Sequence, residues 1–89
     1  MLKTIRQKVR SNCYELSEHA REEMAEDGLE VADVRRVILH GQLEKTLTDD
    51  PRGDRYIVKG QACDGRETAV VCRILPSGLL RIITVWTEE

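Results

Sequence analysis

The sequence predicts an α+β domain, with two to three N-terminal helices packed on one face of a four-stranded antiparallel sheet. Three observations carry this. Apolar residues recur at helical spacing up to residue 40 and at every second position from residue 42 onward. The strongest turn signals, at residues 49–54, 64–65 and 76–78, fall between the later segments. The helices precede the strands, a segregation that sets helices against an antiparallel meander.

The first helix spans residues 2–11, where Leu2, Ile5 and Val9 share a face and Ser11-Asn12 ends the run. Tyr14-Glu15-Leu16 is a brief extended entry. Ser17 then suits an N-cap, because its hydroxyl can accept from a free amide of the next turn. Glu18 lies at the positive end of the helix dipole, Ala20 and Met24 supply the apolar side, and Gly28 fits a left-handed closing position. The third helix, at 31–40, carries the stripe Val34, Val37, Ile38 after Val31, with Asp33 in its first turn, His40 in its last and Gly41 beyond.

Leu43, Lys45 and Leu47 open the two-residue period, and "DDPRGD" at 49–54 turns the chain. Strands are expected at 55–63, 66–75 and 79–87. Asp64-Gly65 suits a two-residue type I′ hairpin, which would pair Cys63 with Arg66 and set Tyr56 beside Arg73. Pro76-Ser77-Gly78 suits a three-residue loop that pairs Arg73 with Arg81. One face then carries Tyr56, Val58, Val71, Arg73, Arg81 and Ile83. The other, read as core, carries Ile57, Val70, Cys72, Ile74, Leu80, Ile82 and Trp86. A last loop of two or four residues would exchange the faces of the final strand, bringing Thr84 and Trp86 to Tyr56 and Arg73 and taking Arg81 away.

Composition narrows the function. The 89 residues make a single domain, 40% apolar and 34% charged, a globular balance. The three cysteines are widely spaced without a C-x-x-C pair, which fits free thiols in a reducing cytoplasm and gives no zinc or redox signature. No apolar run approaches the ~20 residues of a membrane span, so no membrane contact is expected. No pattern calls for a cofactor or a metal; the acids at 22–27 lack the spacing of a calcium loop. The net charge of -2 argues against non-specific nucleic-acid binding, but arginines on the later strands can form a local basic surface.

Together, the segments "SEHAREEMAEDGLEVADV", "GQLEKT", "DRYIVKGQACDGRETAVV" and "RIITVW" resemble the bacterial domain of unknown function 4258 over residues 14–87, leaving residues 1–12 as a basic N-terminal helix. The resemblance implies a RelE-like architecture, shared with RelE- and BrnT-like toxins: ribonucleases encoded beside an antitoxin. It implies an antitoxin partner, RNA as target, and recurrent polar sites at His19, Arg66 and Thr84. Asp27 departs from the arginine common before the helix-ending glycine and removes a cation.

Metal-independent RNA cleavage needs a proton-transfer group and cations for the charge building on phosphate. His19, Tyr56 and Arg73 are the catalytic candidates, and Arg66, Arg81 and Thr84 the RNA-binding ones. For His19 the plainer alternative is an ion pair with Glu23 one turn on. For the whole protein the alternative is a non-catalytic domain of the same fold that binds a protein partner or forms a homodimer.

Overall fold

A computed structural model describes residues 1–88. The elements are α1 (Leu2–Arg10), β1 (Tyr14–Leu16), α2 (Glu18–Asp27), α3 (Val31–His40), β2 (Gln42–Leu47), β3 (Arg55–Gln61), β4 (Glu67–Ile74) and β5 (Leu80–Thr87). The α+β class and the three helices agree with expectation. The sheet has five strands, not four, and is mixed, in the order β1-β5-β4-β3-β2. The added strand is the extended entry, which pairs parallel to β5 through Leu80 N–H to Cys13 O (3.1 Å) and Ser17 N–H to Ile82 O (2.9 Å). Three residues carry no alternation long enough to mark a strand in sequence.

Each helix is ended by the residue chemistry at its boundary. Lys8 and Arg10 complement the C-terminal dipole of α1, and Asn12 adopts φ 57° just beyond it. In α2, Ser17 Oγ accepts from Ala20 N–H (3.0 Å), and Gly28 closes the helix at φ 67°. In α3, Asp33 reaches back to accept from Glu30 N–H (2.7 Å) and also accepts from Cys63 N–H (2.9 Å). These donors hold the Asp33 carboxyl below its ordinary range, the Glu30 bond contributing most.

Helices α1 and α3 supply Ile5, Val9, Val34, Val37 and Ile38 to a core shared with Val58, Val70, Cys72, Leu80, Ile82 and Val85. Where α3 meets β3 the backbones nearly touch at Gly41 and Gly60. A Cβ on Gly41 would lie 2.9 Å from the Lys59 carbonyl carbon, with the Lys59 and Val37 oxygens nearer still. Arg6 of α1 clamps this corner, donating to Ile38 O (3.0 Å) and Gly41 O (2.6 Å). Among the described residues no helix is long and apolar enough to cross a membrane.

The two hairpins compare differently with expectation. The Pro76-Ser77-Gly78 loop is the expected three-residue form, closed by Leu75 N–H to Leu79 O (2.8 Å), and Arg73 pairs with Arg81. The Asp64-Gly65 turn is not the expected two-residue form. Ala62 N–H bonds Arg66 O (2.9 Å), so Cys63, Asp64 and Gly65 form a three-residue loop with Gly65 at φ 89°. This is the turn-plus-glycine-bulge geometry, and it moves β3 by one residue against β4. Tyr56 therefore pairs with Cys72 and Val58 with Val70, on the helix-covered side. The expected pairing of Tyr56 with Arg73 is corrected: Tyr56 is a core residue, 8% exposed. Ile57 moves the opposite way, to the uncovered face, in register with Val71 and Thr84.

A bulge in β5 makes the second correction. Cys72 pairs with Ile82, but Val71 pairs with Thr84, so Ile83 is the extra residue. The bulge reverses the alternation midway along the strand. Arg81 and Thr84 consequently both face away from the core, although the two registers considered from sequence made them alternatives. Val85 turns inward, and Trp86, expected in the core, pairs with Ala69 on the uncovered side.

Candidate functional site

The corrected register places three arginines side by side. Arg73 pairs with Arg81, and because Tyr56 pairs with Cys72, Arg55 lies on the other flank of Arg73. A row of like charges across neighbouring strands is unfavourable unless anions offset it. The β2–β3 loop supplies one. Asp50 Oδ2 accepts from Arg73 Nη2 (2.6 Å) and Arg52 Nη2 (3.2 Å), and Oδ1 accepts from the Arg52 backbone N–H (2.9 Å). Asp49 accepts from Arg55 Nη2 (3.4 Å). Arg52 first, and then the charge of Arg73, hold the Asp50 carboxyl at a pKa of about 2.

The row, the loop and the start of α2 enclose a cleft of about 270 Å³ lined by Ser17, His19, Asp50, Arg52, Arg55, Arg73, Arg81 and Ile83. Four arginines face one aspartate here, so the cleft is basic although the chain as a whole is mildly acidic. The N-terminus of α2 adds the positive end of its dipole, held in place by Ser17 Oγ donating to Ile83 O (2.8 Å).

The sequence-predicted residues divide around this cleft. His19, Arg73 and Arg81 line it together. Tyr56 does not; burial, then the nearby Asp54 charge, raises its phenol pKa further from neutrality. Arg66 sits at the far end of α2, donating to Asp27 O (2.7 Å) and pairing with Asp64 (2.7 Å), where it closes the helix and braces the turn. Thr84 is also engaged elsewhere, donating to the Glu23 carboxylate. That carboxylate accepts from Val85 N–H (3.1 Å) as well, covering the β5 edge that β1 is too short to reach.

The expected ion pair of His19 with Glu23 is present at 3.3 Å. The same imidazole is 66% exposed and borders the cleft, so the ion pair does not withdraw it from the cleft lining. Arg52, Arg55 and Asp50 were not anticipated. The signal for Arg55 was its place opposite Arg73 in a three-residue-loop register. Asp50 reaches Arg73 across a turn whose shape the sequence does not specify.

The family model described as "Domain of unknown function (DUF4258)" matches residues 16–87. No curated protein and no solved structure matches. The matched span runs from the end of β1 through β5 and takes in His19 and all four cleft arginines. On that match, the chain belongs to the DUF4258 family.

Proposed function

We propose that the protein is a RelE- or BrnT-like toxin acting as a metal-independent endoribonuclease, with the arginine cleft as its RNA site. The observation supporting this most directly is the cross-strand row of Arg55, Arg73 and Arg81 beside His19. Arginine grips phosphate through paired N–H donors, and histidine is the side chain suited to proton transfer near neutral pH.

In this reaction a backbone phosphate lies against Arg81 and Arg73. His19 removes the proton of the neighbouring 2′-hydroxyl. The 2′-oxygen–phosphorus bond forms as the bond to the 5′-oxygen breaks, and the departing oxygen takes up a proton from the imidazolium or water. The products are a 2′,3′-cyclic phosphate and a 5′-hydroxyl. The arginines oppose the charge that grows on the non-bridging oxygens, the electrostatic contribution that dominates such catalysis. Glu23, 3.3 Å from the imidazole Nε2, restrains its orientation. Tyr56 has no part in this scheme, and an antitoxin would be a protein able to cover the same cleft.

Expression in a bacterial host tests the proposal. Growth arrest with loss of mRNA is expected, abolished by His19→Ala or Arg81→Ala in variants that remain folded. Harmless expression of folded wild-type protein would favour the second reading, a non-catalytic interaction or dimerisation domain. That reading draws on the half-exposed Ile57 and Trp86 on the helix-free face.

A further inference from the structure

The acceptors in the cleft are too few for its donors. Asp50 Oδ1 is taken by the Arg52 backbone N–H and Nε (3.2 Å). That leaves Oδ2 to serve Arg73 and Arg52, with Arg55 Nε 3.7 Å away, within ion-pair range but beyond a hydrogen bond. The Nε–H groups of both Arg55 and Arg73 are consequently buried without a partner, and Arg73 as a residue is only 8% exposed. Buried donors left unpaired are costly, and two such guanidinium donors at one cleft mark a place where an acceptor belongs. A planar carboxylate fixed to its own loop meets only part of this demand. A tetrahedral oxyanion offers acceptor oxygens in more directions.

We infer that Asp50 is a resident anion in a seat shaped for a phosphate group, and that an internal phosphodiester of RNA docks by displacing the Asp50 carboxylate from Arg73. The inference rests on the RNA reading above and adds the order of events at that site. The β2–β3 loop is built to allow it. Asp50 is tied to the turn that ends at Gly53, and Gly53 holds φ 121°, a conformation open to glycine. Once released, the carboxylate re-forms its bonds to Arg52 in a changed geometry, because the Arg52 backbone and side chain lie on the same loop. Arg73 and Arg55, fixed on the sheet, remain behind to hold the phosphate. Asp50 therefore lowers affinity for any anion that competes poorly with a tethered carboxylate, and selects ligands that bridge several arginines at once.

The experiment titrates labelled protein with inorganic phosphate and, separately, with a short single-stranded RNA lacking terminal phosphates. The Arg73 Nε–H and Arg52 backbone amide resonances are followed by NMR. Both ligands are expected to shift the Arg73 Nε–H, with the Arg52 amide moving in step as it loses or re-forms its bond to Asp50. Asp50→Asn is expected to bind both ligands about tenfold more tightly, the order expected on removing one like charge at contact distance from a partly solvated site. Equal or weaker binding by a folded Asp50→Asn variant would overturn the inference and make Asp50 a structural anchor. Should that variant not fold, the wild-type titration decides: a shifted Arg73 Nε–H with an unmoved Arg52 amide means the carboxylate stays. Binding of inorganic phosphate alone would also overturn the inference, since the seat would not admit an RNA phosphodiester. RNA cleavage is measured separately, so binding without cleavage removes the catalytic proposal and leaves the seat. Cleavage with Asp50 in place does the reverse.

Discussion

Gly41→Ala is expected to be among the most damaging single-methyl changes in this protein. The new Cβ would lie within 2.9 Å of the Lys59 carbonyl carbon and closer to two carbonyl oxygens, all of them backbone atoms that cannot rotate away. Relief requires α3 to lift from β3. That movement strains the Gly41 N–H to Val37 O bond (2.7 Å) and the Arg6 bond to Gly41 O (2.6 Å). Overpacking of this kind costs about 1–3 kcal/mol, and weakening a charged hydrogen bond adds about 1 kcal/mol, so about 3 kcal/mol in all. For a domain of this size that lowers Tm by roughly 12–24 °C. Gly28→Ala is the control. It has nothing within 4 Å, and only its left-handed φ of 67° resists a side chain, so it should cost about 1 kcal/mol. Urea or thermal unfolding of both variants makes the comparison. A Gly41→Ala variant no less stable than Gly28→Ala would refute the argument that backbone contact, and not conformational preference, fixes the α3–β3 corner.

Other expectations concern charge and burial. The Asp50 carboxyl titrates near 2, below its ordinary 3.8, so its contribution to stability is complete above the ordinary value and fades as pH falls through about 2. Acid unfolding followed by circular dichroism should therefore show a weaker loss between pH 4 and 2 in Asp50→Asn than in wild type. Cys72 is fully buried and burial pushes its thiol up to about 12, so alkylation at pH 8 should modify exposed Cys63 and reach Cys72 only on unfolding. Labelling of Cys72 in folded protein would contradict its place in the core. Arg66→Ala should destabilise the fold by about 1–2 kcal/mol through loss of its bond to Asp27 O while leaving RNA affinity unchanged; weaker RNA binding at unchanged stability would return Arg66 to the RNA site.

What sequence could and could not reveal follows from the range of the interactions involved. Helix ends are local, and Ser17, Gly28, Asp33 and Gly41 mark them where they stand. Strand existence is nearly as local. Facing is not, because it depends on loop length to a single residue. Cys63-Asp64-Gly65 accommodates a two-residue or a three-residue loop, and the second moved Tyr56 from the presumed site into the core. The β5 bulge at Ile83 likewise leaves no local mark, yet it turns Arg81 and Thr84 to the same side and Trp86 outward. His19, Arg73 and Arg81 were legible as chemistry-bearing types. Their company was not, since Asp50 meets Arg73 across 23 residues and Glu23 meets Thr84 across 61. The resemblance that singled out Arg66 and Thr84 identified residues with firm partners, but at the two flanks of α2 and outside the cleft lining.

We propose that the arginine cleft with His19 cuts RNA. The most direct measurement of this proposal is incubation of purified protein with single-stranded RNA in the presence of a chelator, with analysis of the product ends. Fragments ending in 2′,3′-cyclic phosphate are expected, with the rate lowered at least about a hundredfold by His19→Ala, the scale of a lost general acid or base. Intact RNA after incubation with folded wild-type protein, or cleavage that His19→Ala and Arg81→Ala leave unchanged, would contradict it.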